Sequence, residues 1–300
     1  MTKPHFYTLG EARIARIVDC VLDTFPPQQL LPQWQDDDRR LAEQMPEGIT
    51  PDGEHLLLSI HSWVIERQGK TIVVDTGAGN DKERPHARYF DHLRTPYLAR
   101  LNEIGVSPDK VDYVLHSHLH VDHVGWNTML IDGRWVPTFP NARHIFSAKE
   151  FAYFTDPANL TERNRTSFQV QVDSLIPIVE AGLADMIEVT GDEVIPGFSF
   201  YSTPGHTVDH ASIVLQSAGA RAIFAADVMH HPIQVLKPEL LSIFDPGPDR
   251  TLASRRWALD FAADQDAIWF SSHFPGSSAG RVTRAGHVTS HGDRYNWRFI

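Results

Sequence analysis

Residues 116–123 read His-Ser-His-Leu-His-Val-Asp-His, and within them His118, His120, Asp122 and His123 make the pattern H-x-H-x-D-H. A polar loop has no structural need of so many imidazoles and carboxylates in so short a run. Neutral imidazole nitrogens and carboxylate oxygens are donors that Zn²⁺, Mn²⁺ or Fe²⁺ accepts where thiolates are absent. The run is therefore expected to hold metal, with those four residues as candidate ligands. His116, two residues before the first of them, is read as a neighbour rather than a ligand.

The surrounding elements must present this run. Residues 111–115 are apolar and β-branched, which predicts a buried strand ending where the ligands begin. Gly125, with no Cβ, closes the loop. Other apolar strands end in polar turns in the same way: at Asp75-Thr-Gly, at Pro204-Gly-His206-Thr, at Ala225-Ala-Asp227 and at Ser271-Ser-His273-Phe-Pro. If these strands share one orientation, their loops meet at one edge, where sites in layered α/β folds are built.

Elsewhere the pattern predicts an opening strand over 12–23 and a hairpin of 56–66 and 70–75 about Gly69. A helix follows over roughly 95–104, stopped by Gly105. A strand over 142–146 leads into a helix opened by Ser147 and Glu150 as a capping box. Further on come a helix within 166–179, a strand over 198–202, and a hairpin of 212–216 and 221–225. Asp249 is expected to cap a helix reaching about Ala263, before a strand over 268–272. Residues 1–300 are read as one domain of two halves, each with strands followed by helices. Residues 25–52 stand apart: five prolines and the acidic Asp36–Asp38 run mark a surface extension with a short helix near 37–45. Its apolar Leu30, Leu31, Trp34 and Leu41 suit a lid or a dimer contact, against the alternative of a disordered insert.

These segments, in this order, resemble the metallo-β-lactamase-fold superfamily of metal-dependent hydrolases, from about residue 56 to 281. The resemblance implies an α/β fold, a four-layer αββα sandwich, here with an N-terminal extension. It implies that His118, His120 and His206 hold one divalent metal, that Asp122, His123 and His273 hold a second, and that Asp227 bridges both. Zinc is the expected ion, with manganese or iron accepted by the same donors. Two such ions about 3.5–4 Å apart share and acidify a water that attacks an electrophilic carbon or phosphorus. Asp122 and Asp227 are the expected catalytic carboxylates, and Asp227 would orient the nucleophile or relay its proton. Asp75 matches the family aspartate that braces the metal loops.

Departures within the family narrow the chemistry. Diiron members carry Glu where this chain keeps His120, and no flavin domain follows. True class B β-lactamases lack the bridging aspartate, and several use a cysteine ligand. The basic surfaces of the RNA-processing members and the glutathione-binding pattern of glyoxalase II are not evident. What remains is similar to the lactonase and methyl-parathion-hydrolase-like branch. Short quorum-quenching lactonases carry Tyr three residues after the bridging Asp, where this chain has His230. The expected reaction is opening of a lactone or cleavage of a carboxylic ester. A phosphotriester hydrolase or thioesterase is the alternative of the same fold. A mononuclear iron persulfide dioxygenase and a non-catalytic binder are alternatives of other classes.

Composition bounds the partners. The net charge of −11 argues against a nucleic-acid partner, which would need a basic stripe. No apolar run approaches a membrane span, and residues 1–19 lack the core of a cleaved signal, so a cytoplasmic location is expected. The expected partner is a small ester or lactone, with a homodimer compatible with the extension. The single cysteine, Cys20, is read as a small buried hydrophobe. His230 and His231 line the pocket or lie on the surface, and His287 and His291 are read as surface residues. Trp126 and Phe274 are either substrate walls or ordinary packing.

Overall fold

The computed structural model describes residues 5–285 and 294–300, so the expectation for His287 and His291 lies outside the described residues. The chain divides into two compact units, Met1–Cys20 with Ile60–Glu188, and Val21–Ser59 with Val189–Ile300. The N-terminal extension therefore groups with the second half of the sequence.

In the first unit the strands are β1 (Phe6–Leu9), β2 (Ala12–Phe25), β3 (Leu56–Arg67), β4 (Lys70–Val74), β5 (Tyr113–Leu115), β6 (Thr128–Ile131), β7 (Arg134–Pro137), β8 (Arg143–Ser147) and β9 (Ala184–Ile187), with β2 and β3 extending into the other unit's residues. One sheet runs β1-β2-β3-β4-β5-β8-β9, and β6 and β7 make a separate hairpin. The β3–β4 turn uses Gln68 at φ 50° and Gly69 at φ 76°, the paired left-handed backbone that suits a two-residue hairpin. β4, β5, β8 and β9 are parallel neighbours, so β4 and β5 end at the same edge. Val73 and Val114 are fully buried against Tyr97 and Leu101 of the Tyr97–Glu103 helix. Such continuous apolar runs are expected of parallel strands. The β6–β7 hairpin was not foreseen, although Asp132-Gly133 between them, at φ 49° and 75°, is a hairpin signal.

The helical stretch within 166–179 is three pieces: Arg165–Val170, a π-helical Gln171–Leu175, and Ile176–Glu180. The wider π turn puts Asp173, Ser174 and Leu175 consecutively inside while Val172 stays exposed. Ser147 does cap the Ala148–Thr155 helix, accepting from the backbone N–H groups of Lys149 and Glu150.

The second unit holds β10 (Glu193–Ile195), β11 (Phe198–Ser202), β12 (Ala211–Ser217), β13 (Ala220–Ala226), β14 (Ile268–Ser271), β15 (Ala279–Ala285) and β16 (Arg294–Phe299), in that order across one sheet. β13 and β14 are parallel, and β11 shares their direction because each pairs antiparallel with β12. The turns bearing His206, Asp227 and His273 thus leave one edge. The Pro248–Asp264 helix buries Ala258, Leu259 and Ala262 against Ile223, Trp269 and Val282. Its start corrects the expected cap: Gly247 is the N-cap, Pro248 opens the first turn, and Asp249 sits inside that turn without capping it. Proline costs nothing there because its missing N–H would have no helical partner.

The extension is packed, which excludes the disordered alternative. Leu30, Leu31 and Ala42 are fully buried. The Leu30 carbonyl accepts from the Ile243 N–H at 2.9 Å, Lys237 pairs with Asp38, and the Gly48 carbonyl lies 2.8 Å from His231 Nε2. Cys20 is only partly buried, contrary to the expectation, and burial with the neighbouring Asp19 charge pushes its thiol up to about 12. Among the described residues no helix is long and apolar enough to cross a membrane.

Candidate metal centre

In the first unit, β4 and β5 deliver Asp75 and the histidine run side by side. His118 Nε2 and His120 Nδ1 are 3.2 Å apart. Two nitrogens on one tetrahedral zinc, each at about 2.0–2.1 Å, stand about 3.3 Å apart, so this pair has the spacing of adjacent ligands. The His118 and His123 ring centroids are 4.1 Å apart, and Asp122 Oδ1 lies 3.8 Å from His123 Nε2.

These side chains are held from behind. Asp75 Oδ1 accepts from the Ser117 N–H at 2.9 Å, while its Oδ2 accepts from Ser117 Oγ at 2.8 Å and lies 2.9 Å from His123 Nδ1. A carboxylate on Nδ1 leaves Nε2 as the lone-pair nitrogen, the form a metal needs. Asp75 itself sits at φ 54°, a conformation costly for a residue with a Cβ. Sequence reasoning missed a second brace. Asp19 is buried, and its Oδ2 accepts from the N–H groups of Ala78 and Gly79 at 2.8 and 3.1 Å. Gly125 is needed for a close approach rather than for a tight turn: a Cβ there would lie 1.9 Å from the Ala78 carbonyl. Trp126 is packing, buried and stacked on Tyr97 at 5.0 Å. His116 is buried with Nδ1 3.9 Å from Asp75 Oδ1, and its ring stacks on His144 at 5.9 Å.

In the second unit, Asp227 Oδ2 is surrounded by imidazoles: His273 Nε2 at 2.9 Å, His206 Nε2 at 3.3 Å and His230 Nε2 at 3.4 Å. His206, Asp227 and His230 offer donor atoms all within 4.8 Å of one another. Asp227 follows Ala226, whose φ of 50° is unusual for alanine. Its backbone N–H donates to His210 Nε2 at 3.0 Å, and His210 Nδ1 lies 3.1 Å from the Thr203 carbonyl. The Ser59 carbonyl lies 3.2 Å from His273 Nδ1. Sequence reasoning missed His210, because nothing in its spacing separates it from an ordinary strand-entry residue.

His230 and His231 are fully buried, which removes the surface alternative for both. His230 stacks on His273 at 5.4 Å, and burial pushes its pKa down. Phe274 is core packing, edge-on to Trp297 at 5.3 Å. Asp245 is buried near His206; burial works to raise its carboxyl, but the adjacent His206 imidazole, the His230 ring and the Arg255 guanidinium hold it at about 2.

His231 ties the extension to the turn after Asp227 and carries a testable pH dependence. Burial lowers it to about 4, against an ordinary value of 6.5. The unfolded chain therefore takes up this proton first as pH falls. The stability His231 contributes is complete above pH 6.5 and is lost as pH drops toward 4. His231→Gln keeps a donor for the Gly48 carbonyl and cannot titrate. Denaturation at successive pH values should show its stability falling less steeply in that window, by up to about 1.4 kcal/mol per pH unit. An unchanged slope would place the acid sensitivity elsewhere.

The sequence model of the metallo-beta-lactamase superfamily matches residues 56–273. The chain belongs to that superfamily. An N-acyl homoserine lactonase of a Bacillus species is 26% identical over 181 residues, 56% of this chain and 62% of that relative. The chain thus aligns with less than two thirds of that relative's length. Among solved structures, the superfamily hydrolase AbOPH superposes with a TM-score of 0.81 at 24% identity, covering 100% of this chain and 98% of that one. AidC, described as a dizinc quorum-quenching lactonase in complex with a product, superposes with a TM-score of 0.78 at 21% identity, covering 99% and 97%. At these identities the likeness is one of fold, and the metallo-β-lactamase fold is the one this chain adopts.

Proposed function

We propose that this metallo-β-lactamase-superfamily protein is a dinuclear-metal hydrolase that opens a lactone or cleaves a carboxylic ester. In this reading His118, His120 and His206 hold one ion, Asp122, His123 and His273 hold the other, and Asp227 serves both. The observation that carries it is the ligand-like convergence inside each unit: 3.2 Å between His118 and His120, and three imidazoles within 3.4 Å of one Asp227 oxygen. Such a group would be costly to bury without a cation to share. Divalent ions held there supply a water acidified toward neutral pH and positive charge facing the developing oxyanion.

The chain's own groups divide the remaining work. Asp227 orients the attacking water, takes its proton and delivers it to the leaving oxygen. Asp122, beside His123, adds the negative charge that makes the site prefer a divalent cation. Asp75 and His210 keep the two acid-bearing turns in place through the contacts described above.

Purified protein should carry two divalent ions per chain by elemental analysis and hydrolyse lactones or esters from a panel that includes thioesters and phosphotriesters. Removing metal with a chelator should abolish turnover, and zinc should restore it. One iron per chain with oxygen consumption would replace this reading with the dioxygenase. A full metal complement with no substrate in the panel would favour a binding protein.

A further inference from the structure

Arg255 lies near the middle of the Pro248–Asp264 helix and is fully buried. Its Nε donates to the Val228 carbonyl at 2.8 Å, and its Nη1 donates to the carbonyls of Pro238 and Leu240, both at 2.7 Å. Its Nη2 reaches Asp245 Oδ2 at 3.3 Å. The same Asp245 oxygen accepts from the Ser242 N–H at 2.8 Å, while Oδ1 lies 3.8 Å from His206 Nδ1. Gln234 completes the frame: its Oε1 accepts from the N–H groups of His230 and His231 at 2.7 and 3.0 Å, and its Nε2 donates to the Leu240 carbonyl at 2.7 Å.

We infer that Asp245 and Arg255 are positioning residues for the His206–Asp227 donor pair, an outer carboxylate and the cation that aims it. This rests on the metal-centre reading above. The His206 ring stands between two carboxylates, with Nε2 toward Asp227 at 3.3 Å and Nδ1 toward Asp245 at 3.8 Å. A proton kept on Nδ1 by Asp245 leaves Nε2 free to bind an ion. Arg255 sets Asp245 and, through Val228, also grips the residue after Asp227. One guanidinium therefore fixes two candidate ligands on different turns. In the first unit Asp75 stands behind His123 Nδ1 at the closer distance of 2.9 Å.

Stability alone is a poor reason for the pair. A fully buried ion pair loses much of its Coulomb gain to desolvation, and well-packed apolar residues of similar volume are often as good or better. Placing donors against an ion requires direction, which apolar packing lacks.

The test compares wild type, Asp245→Asn and the double variant D245L/R255M, each as apo protein and with zinc. Zinc affinity is read by competition with a chromogenic chelator and apo stability by thermal melting. The Asn variant should bind one of two zinc ions about 10–100-fold more weakly, with an apo melting point lowered by the loss of the Arg255 counter-charge. The double variant removes both charges together and should show the same loss of zinc affinity; its melting point reads what the carbonyls of Val228, Pro238 and Leu240 lose with the Arg255 donors. Wild-type affinity for both ions in a folded variant overturns the inference. So does lowered apo stability with unchanged zinc affinity, because that is a purely structural role. Failure of the parent reading is separate: the wild-type chain itself would then take up no zinc.

Discussion

Asp227→Ala should lower kcat/KM for the best ester or lactone substrate by about a thousandfold or more, a loss of roughly 4 kcal/mol of transition-state stabilisation. Its Oδ2 lies between three imidazoles at 2.9, 3.3 and 3.4 Å. In the proposed reading its removal takes away both a shared anion and the proton carrier, so kcat should fall more than KM rises. The fold should survive, because the backbone N–H of residue 227 keeps its bond to His210 and the core of the unit lies with Ile223, Trp269 and Leu259. His120→Ala should behave alike through its 3.2 Å partnership with His118. Steady-state kinetics with metal analysis and circular dichroism on the same preparations check this. Undiminished turnover in Asp227→Ala would end the bridged reading.

The second large effect is on stability and lies away from the donors. Arg84 and Lys82 are fully buried in the first unit, and one carboxylate serves both. Asp173 meets Arg84 through two bonds, Oδ2 to Nη1 at 2.6 Å and Oδ1 to Nη2 at 2.7 Å. Lys82 Nζ lies 3.6 Å from Asp173 Oδ1, donates to the Asp173 carbonyl and Thr128 Oγ1, and sits 3.6 Å from the Trp135 ring centre. Burial pulls the Lys82 ammonium down to about 7, with Asp173 opposing it and Arg84 adding to it. Asp173→Ala leaves Arg84 buried without its carboxylate and drives the Lys82 ammonium further toward its neutral form. It should cost about 3–5 kcal/mol, seen as a melting point lower by roughly 6–15 °C. A shift of a degree or two would mean that water reaches the site and screens it.

Much of the candidate centre was legible because its signals are local. H-x-H-x-D-H is a short spacing, and a strand ending in a polar turn is a change of pattern within a few residues. Those features marked most of the strands that carry the proposed ligands, and the family resemblance supplied the ligand assignment. Reading failed where a residue's role depends on a distant partner. Asp19 acts on Ala78 and Gly79, and Arg255 acts on Val228, 27 positions away. His231 was read as lining the pocket or lying on the surface, and its partner, the Gly48 carbonyl, is 183 positions distant. The π turn at 171–175 left no sequence trace, since it depends on burying Asp173 against Arg84. Asp249 was mistaken for a cap because Asp favours that position, yet Pro248 already opens the helix from Gly247.

From the sequence alone came the candidate donors, their order and the strands they follow, because spacing and β periodicity are short-range, while the family resemblance grouped those donors into a proposed site. The tertiary structure decided what stands behind four of the candidate donors: Asp75 behind His123, Ser59 behind His273, Asp245 and Arg255 behind His206, and His210 behind Asp227. A brace must have the right charge at the right distance, and sheet register and helix packing set that distance. Asp75 was expected as a brace through the family resemblance; no spacing along the chain encodes the others, which emerge only when the chain is folded.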